Sequence, residues 1–162
     1  MTQPNRNILQ IPRLAQNISD YLQTAVSLTM SAKPIEVVAA LLMHQDQLLI
    51  ARRHPDRDQS GWWEFPGGKI EQGESHQHAL ERELQEELGI EVSVQAHIAT
   101  HTHDYGDKVV RLHGYRCHWT PQSITLTDSH DAIQWCQPEQ VAMDGLAPAD
   151  RPLLQALLNA RA

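Results

Sequence analysis

The feature that most constrains this chain is the segment from Gly68 to Ile90, which reads GKIEQGESHQHALERELQEELGI. Between residues 74 and 88 it contains neither Pro nor Gly and consists largely of good helix formers, which predicts a helix. Leu80, Leu84 and Leu88 recur at steps of four, so they line one side of that helix. The glycine at position 89 suits a left-handed C-cap, which ends the helix there.

Three glutamates gather on an adjacent side of this predicted helix. Glu83, Glu86 and Glu87 are spaced by three and four residues, which brings their carboxylates together. Like charges placed in this way cost an isolated helix roughly a few tenths of a kcal/mol per pair, so a specific use is expected. A hard divalent cation provides that use, because Mg²⁺ binds carboxylate, phosphate and water oxygens. The glycine turn of residues 65–68 can bring backbone carbonyls near the same ions.

The same segment resembles the Nudix box, which is glycine, five residues, glutamate, seven residues, Arg-Glu-aliphatic, one residue, Glu-Glu, one residue and Gly-aliphatic. The matching residues are Gly68, Glu74, Arg82, Glu83, Leu84, Glu86, Glu87, Gly89 and Ile90. Because every fixed position is filled, we prefer this interpretation to an ordinary solvated charged face. The resemblance implies a Nudix fold over about residues 35–160, with a mixed sheet between helices.

The resemblance also implies roles for the residues of the box. The expected metal ligands are Glu83, Glu86 and Glu87, with Glu74 and the Gly68 carbonyl as further contributors. Arg82 is expected to orient the glutamates through a salt bridge; an ordinary surface ion pair is the alternative. The expected cofactor is Mg²⁺, with Mn²⁺ as a substitute, because cations stabilise phosphoryl transfer and lower the pKa of bound water. The spacing does not decide which glutamate is the general base.

Residues outside the box resemble the MutT branch of the family, which hydrolyses nucleoside triphosphates to monophosphate and pyrophosphate. The resembling strings are WEFPGGKIE at 63–71, EVVAA at 36–40, WC at 135–136, and LAPAD with PLL within 146–154. Together they are similar to bacterial CTP pyrophosphohydrolases, which accept CTP, dCTP and oxidised or 5-substituted deoxynucleotides. Within the last string, Arg151 differs from the pattern of this group, and the sequence does not predict the effect of that difference.

Three residues are candidates for substrate binding. By the resemblance Asp150 hydrogen-bonds the base, accepting from an exocyclic amine such as that of cytosine, or donating if protonated. Alternatively it caps the terminal helix, and the two roles are compatible. Phe65 either stacks on the base or packs in the core. Arg53 suits a phosphate or sugar contact, or is an ordinary surface residue.

Two further groups of residues could carry a function. MutT-like enzymes carry an auxiliary glutamate before the last strand, and the aligned position here is Ser129. Asp128, His130 and Asp131 are the nearby substitutes, although a simple polar loop is the preferred interpretation. The ten histidines suggest a structural zinc, but no compact ligand spacing is present, so we favour surface or rim positions for them.

Composition bounds the remaining possibilities. The 162 residues suit one Nudix domain at 35–162, preceded by an extension at 1–34 that is helical or partly disordered. The net charge of −7 argues against direct nucleic-acid binding. No apolar run approaches the ~20 residues of a membrane span. Cys117 and Cys136 are too few for a disulfide framework, so we expect a cytoplasmic protein. It is a monomer or a homodimer, and the sequence does not decide between the two.

The pattern of apolar residues indicates an α+β or α/β sandwich, and with the resemblance we expect the α+β class, as an α/β/α sandwich. Strands are expected at 35–43, 48–52, 62–65, 90–102, 108–119 and 133–136, helices at 74–88 and 148–160, and a helical turn at 138–143. A nucleoside triphosphate is the expected substrate. A dinucleoside-polyphosphate or nucleotide-sugar hydrolase is the enzymatic alternative. A non-catalytic Nudix-fold regulatory module is less favoured, because such modules commonly lose box glutamates and none is lost here.

Overall fold

The computed structural model describes residues 18–19 and 33–162. The expectation of a helical or disordered extension over residues 1–34 therefore falls almost wholly outside the described residues. From residue 34 to the end the chain forms one compact unit. Its strands are β1 Ile35–His44, β2 Gln47–Arg53, β3 Trp63–Glu64, β4 Gly67–Lys69, β5 Val92–Asp104, β6 Val109–Trp119 and β7 His130–Cys136. Its helices are α1 His76–Leu88 and α2 Arg151–Arg161, with short 3₁₀ turns at Pro138–Gln140 and Met143–Gly145.

The strands form one mixed sheet. Its order is β3-β2-β1-β6-β5, with β4 also paired to β1 and β7 also paired to β2. The pair β1–β6 is parallel and the other pairs are antiparallel. The apolar run Val38–Met43 is buried along its whole length, as expected for a central strand covered on both faces. The predicted α+β class with a mixed sheet is confirmed.

The cleft of the molecule opens where β1 and β2 separate. These strands pair only at Met43↔Leu48 and His44↔Gln47, after which β2 continues beside β3 and β7. The glycine segment β4 takes the place of β2 beside the first half of β1, with Val38 opposite Gly68. The sequence predicts a turn here and the structure has a short strand. This pairing fixes the glycine backbone directly beneath helix α1.

One helix covers each face of the sheet, as the predicted sandwich requires. On one face α1 buries Ala79, Leu80, Leu84 and Leu88 against Val38, Ala40 and Leu42. On the other face α2 buries Leu153, Leu154 and Leu157 against Ala39, Leu41 and Met43. Alternate residues of β1 therefore contribute to two separate cores, because successive side chains of a strand point to opposite faces. None of the described helices is long and apolar enough to cross a membrane.

Helix α1 begins and ends on local signals. Ser75 is its N-cap, and the Ser75 hydroxyl accepts a hydrogen bond from the His78 N–H at 3.2 Å. The helix therefore starts at His76, two residues after the predicted start. Gly89 ends it with φ of 66° and donates its N–H to the Gln85 carbonyl, so the predicted left-handed C-cap is confirmed.

Replacing Gly89 by Ala is expected to lower the free energy of unfolding by about 1 kcal/mol, because a Cβ disfavours the left-handed conformation. Space is not the cause, since the nearest atom to an added Cβ would be Thr125 Cβ at 3.7 Å. Urea unfolding measures the effect. Gly145→Ala is the matched control because Gly145 has no positive φ and its added Cβ would meet nothing closer than 3.9 Å. An equal loss in both variants would contradict the capping argument.

Candidate active site

A cavity of about 680 Å³ lies between α1, β4 and the loops at the open end of the sheet. Its wall on the α1 side is acidic and glycine-rich, and contains Gly67, Gly68, Arg82, Glu83, Glu86 and Glu87. Its other wall is more apolar, and contains Phe65, Tyr105, Ala147, Ala149 and Asp150. Arg53 also contributes to the lining. Three of the four box glutamates, without Glu74, and the three candidate substrate residues therefore share one cavity.

Arg82 is the centre of an ion-pair network on α1. Its Nε and Nη2 donate to the two carboxylate oxygens of Glu74, each at 2.9 Å, and its Nη1 donates to Glu83 Oε1 at 2.9 Å. Hydrogen bonding to Arg82 lowers the pKa of Glu74 to about 2. Because both oxygens of Glu74 are engaged, the geometry favours Glu74 as an anchor for Arg82 over the metal-ligand role that the resemblance implies. Glu86 is exposed and 3.4 Å from Arg82 Nη1.

Glu83 and Glu87 lie against the glycine strand β4. A Cβ on Gly68 would overlap the Glu83 carboxylate, so only glycine permits this approach. Glu87 Oε2 accepts the Gly67 N–H at 3.1 Å. Burial raises the pKa of Glu83, and burial, with Glu64 and Glu83 nearby, raises the pKa of Glu87 to about 7. The protein thus holds two acids in a place where their ionised forms are disfavoured.

This donor set suits a hard divalent cation. It combines carboxylates with a glycine backbone that no side chain shields, and cation binding would relieve the repulsion between the acids. Among residues 18–19 and 33–162 no three acidic, histidine or cysteine side chains form a closed metal cluster. Substrate phosphates and water would complete the coordination of a Mg²⁺ ion held by these carboxylates.

Glu64 links three elements at the base of the cavity. Its Oε2 accepts from Arg53 Nη1 at 2.9 Å, and its Oε1 pairs with His130 Nε2 at 2.9 Å. Arg53 Nε donates in addition to the Asp58 carbonyl at 2.8 Å. Glu64 was not identified from the sequence. The signal for it was a single acid among the aromatic residues of WWEFP, because an acid in an apolar segment is usually buried and paired.

Asp150 lies at the other end of the cavity, 6% exposed. Its Oδ1 accepts the Phe65 N–H at 2.9 Å. Asp150 occupies the N-cap position of α2 but its side chain makes no capping hydrogen bond, so the side-chain capping alternative is wrong. Burial, with Glu64 nearby, raises the pKa of Asp150 well above its ordinary value. Phe65 is 3% exposed and packs in the core while also lining the cavity, so its two predicted roles are compatible.

Tyr105 reaches this cavity from the β5–β6 hairpin. Burial, with Asp150 nearby, raises the pKa of its hydroxyl. The sequence predicts strands at 90–102 and 108–119 and gives no role to the connection between them, so this side chain was not identified. An aromatic residue in a tight polar turn was the signal that could have identified it.

The remaining candidates are dispersed. Ser129 lines the cavity. Asp131 forms a bidentate pair with Arg52 at 2.8 and 3.0 Å, and neither Asp128 nor Asp131 lines the cavity. Arg151 donates to the Leu146 carbonyl at 2.9 Å and lies 5.4 Å from the Trp62 ring. It therefore clamps the loop before α2 and is not part of the cavity wall.

Comparison with known proteins agrees with this geometry. Residues 33–157 match the family described as NUDIX domain. A CTP pyrophosphohydrolase from Escherichia coli (strain K12) is 44% identical over 133 residues, covering 80% of this chain and 96% of that protein. An 8-oxo-dGTP diphosphatase from Proteus vulgaris is 38% identical over 84 residues, covering 51% of this chain and 75% of that protein. The solution structure of the E. coli ORF135 protein is similar with a TM-score of 0.70 and 43% identity, covering 82% of this chain and 94% of that one.

Proposed function

The chain belongs to the NUDIX domain family, and on that premise we propose that it is a nucleoside triphosphate pyrophosphohydrolase that requires a divalent metal ion, with Mg²⁺ as the ion it uses. The observation that carries this proposal is that one cavity contains both the box acids and Asp150 with Phe65. An acidic end suits cations and a polyphosphate, and an aromatic end with a buried hydrogen-bonding group suits a base. Free nucleotide, not nucleic acid, is the proposed partner, and the cytoplasm the proposed location.

The box residues would hold the ions through Glu83, Glu86, Glu87 and the Gly68 carbonyl. Bound divalent cations neutralise phosphate charge and make a water molecule nucleophilic near neutral pH. The chain's own contribution is orientation. Arg82 fixes Glu83 through an ion pair of 2.9 Å, and the Gly67 N–H fixes Glu87, so neither acid needs to reorganise when the substrate arrives.

The other wall of the cavity would select the nucleotide. Phe65 forms an apolar surface for the base, and Arg53 contacts the phosphate or sugar. Because its pKa is raised by burial, Asp150 is able to present one donor and one acceptor, which complements N3 and the exocyclic amine of cytosine. An ionised Asp150 would present acceptors only, which complements the two donors of a guanine edge. The proposed substrates are CTP, dCTP and oxidised or 5-substituted nucleotides; the names of the two relatives include CTP and 8-oxo-dGTP.

A product assay tests the proposal. The purified chain is incubated with Mg²⁺ and a panel of canonical, oxidised and methylated nucleoside triphosphates, together with dinucleoside polyphosphates and nucleotide sugars. We expect nucleoside monophosphate and pyrophosphate from the triphosphates, and no release of inorganic phosphate. Turnover confined to dinucleoside polyphosphates or nucleotide sugars would contradict the proposal, as would the absence of turnover with every compound and with either Mg²⁺ or Mn²⁺.

A further inference from the structure

His130 is a buried imidazole immediately behind the cavity wall. It is 2% exposed and begins β7 opposite Arg53, where the pairing of β2 and β7 has an irregularity between Arg52 and Arg53. Its Nε2 lies 2.9 Å from Glu64 Oε1, whereas its Nδ1 is buried with no hydrogen-bond partner among the described residues. The residue therefore makes one side-chain hydrogen bond, and that bond is to Glu64.

Glu64 connects His130 to Arg53. Its second oxygen accepts Arg53 Nη1 at 2.9 Å, and the Asp58 carbonyl accepts Arg53 Nε at 2.8 Å. The guanidinium is thus fixed at two of its nitrogens, and Nη2 has no partner in the described part of the chain. Both Arg53 and Glu64 line the cavity. A fixed fork with spare N–H donors is suited to an oxyanion such as a phosphate.

The fold alone gives no reason for an imidazole at this place. A buried nitrogen without a partner is costly, and an apolar side chain of similar size avoids that cost. The contact that explains its presence is the 2.9 Å hydrogen bond to Glu64 Oε1, an oxygen that Arg53 Nη1 reaches at the longer distance of 3.3 Å. His130 holds the carboxylate in the orientation that Arg53 uses.

We propose that His130 is a positioning residue for substrate binding, which acts through Glu64 to hold the Arg53 guanidinium toward the phosphate or sugar of the nucleotide. The inference rests on the proposed function. Because Arg53 would contact the ground state and the transition state alike, loss of its orientation raises KM and leaves kcat almost unchanged. The box acids should behave in the opposite way, with the loss in kcat.

Three substitutions separate the hydrogen bond from the bulk of the side chain. His130→Gln keeps a donor near the position of Nε2, His130→Asn moves the amide to the position of Nδ1, and His130→Leu removes both. We expect the Asn and Leu variants to raise KM for the best triphosphate about tenfold, with kcat within about twofold, and the Gln variant to restore KM to within about threefold. His118→Leu is the control, because His118 is exposed and does not line the cavity.

Three further measurements identify the cause. Thermal unfolding of the three variants shows whether each is folded at the assay temperature, since losing the unpartnered Nδ1 and losing the contact with Glu64 change stability in opposite directions. Calorimetric titration with CMP should show affinity losses that parallel KM, and this arm still tests the inference if no triphosphate is hydrolysed. In a His130→Leu/Arg53→Lys double variant the losses should be less than additive. A Gln variant as impaired as Leu, full additivity, or unchanged KM and CMP affinity in all three variants would each overturn the inference.

Discussion

Replacing Glu87 by Gln is expected to lower turnover of nucleoside triphosphates by about a hundredfold or more, because a neutral amide no longer supports the metal-stabilised transition state. The loss should lie in kcat. Folding should be preserved, because a Gln carbonyl oxygen is able to accept the Gly67 N–H that Glu87 now accepts at 3.1 Å. Glu81→Gln is the matched control, since Glu81 lies on the same helix but does not line the cavity. An almost fully active Gln variant would contradict the assignment of Glu87 as a metal ligand.

The pH dependence of stability checks the same residue without a substrate. The pKa of Glu87 is about 7 in the folded protein against an ordinary 4.5, so over this interval the folded state binds more protons than the unfolded state. The metal-free protein should therefore lose stability as pH rises from about 4.5 to about 7, whereas the Gln variant lacks this contribution. Thermal unfolding between pH 4.5 and 8 measures the difference. Added Mg²⁺ should raise the melting temperature of the wild-type protein more than that of the Glu87→Gln variant.

The acidic end of the cavity was predictable because the residues that form it lie close together in the sequence. Gly68, Arg82, Glu83 and Glu87 lie within one glycine strand and one helix, so helical spacing and the glycine turn define their neighbourhood without a tertiary fold. The geometry of individual hydrogen bonds was not predicted. Both carboxylate oxygens of Glu74 accept from Arg82. This contact depends on the turn before α1, because the helix begins at His76 and not at residue 74.

The end of the cavity near Asp150 was predicted only in part, because strand pairing brings its residues together from distant parts of the sequence. Glu64 and His130 are 66 positions apart and come together only through the register of β2 with β3 and β7. Tyr105 enters the cavity because the β5–β6 hairpin reaches over the open end of the sheet. Neither contact follows from a periodic pattern, since strand register is determined by the packing of the whole sheet. Asp150 and Phe65 were identified from the resemblance, and their 2.9 Å hydrogen bond was not.

Replacing Asp150 by Ala is expected to raise KM for the preferred nucleotide by about 10- to 100-fold, with a much smaller change in kcat, because a site built to hydrogen-bond a base loses discrimination when the partner is removed. The Phe65 N–H also loses its acceptor. The loss should differ among nucleobases, since a base with no matching donor or acceptor gains nothing from Asp150. Steady-state kinetics with CTP, dCTP, dGTP and an oxidised guanine nucleotide measure it, with exposed Asp144→Ala as the control.

Asp150→Asn distinguishes the two protonation states of the carboxyl group. Asn presents one acceptor and one donor, like a neutral carboxylic acid, so it should keep KM for cytosine nucleotides within about threefold. It should weaken binding of guanine nucleotides, whose two donors on one edge require two acceptors, by about tenfold or more. Because burial raises the pKa of Asp150, raising the pH should shift preference toward guanine in the wild-type protein but not in the Asn variant. Equal losses for every nucleobase in the Ala and Asn variants would show that Asp150 supports the fold of the cavity and does not recognise the base.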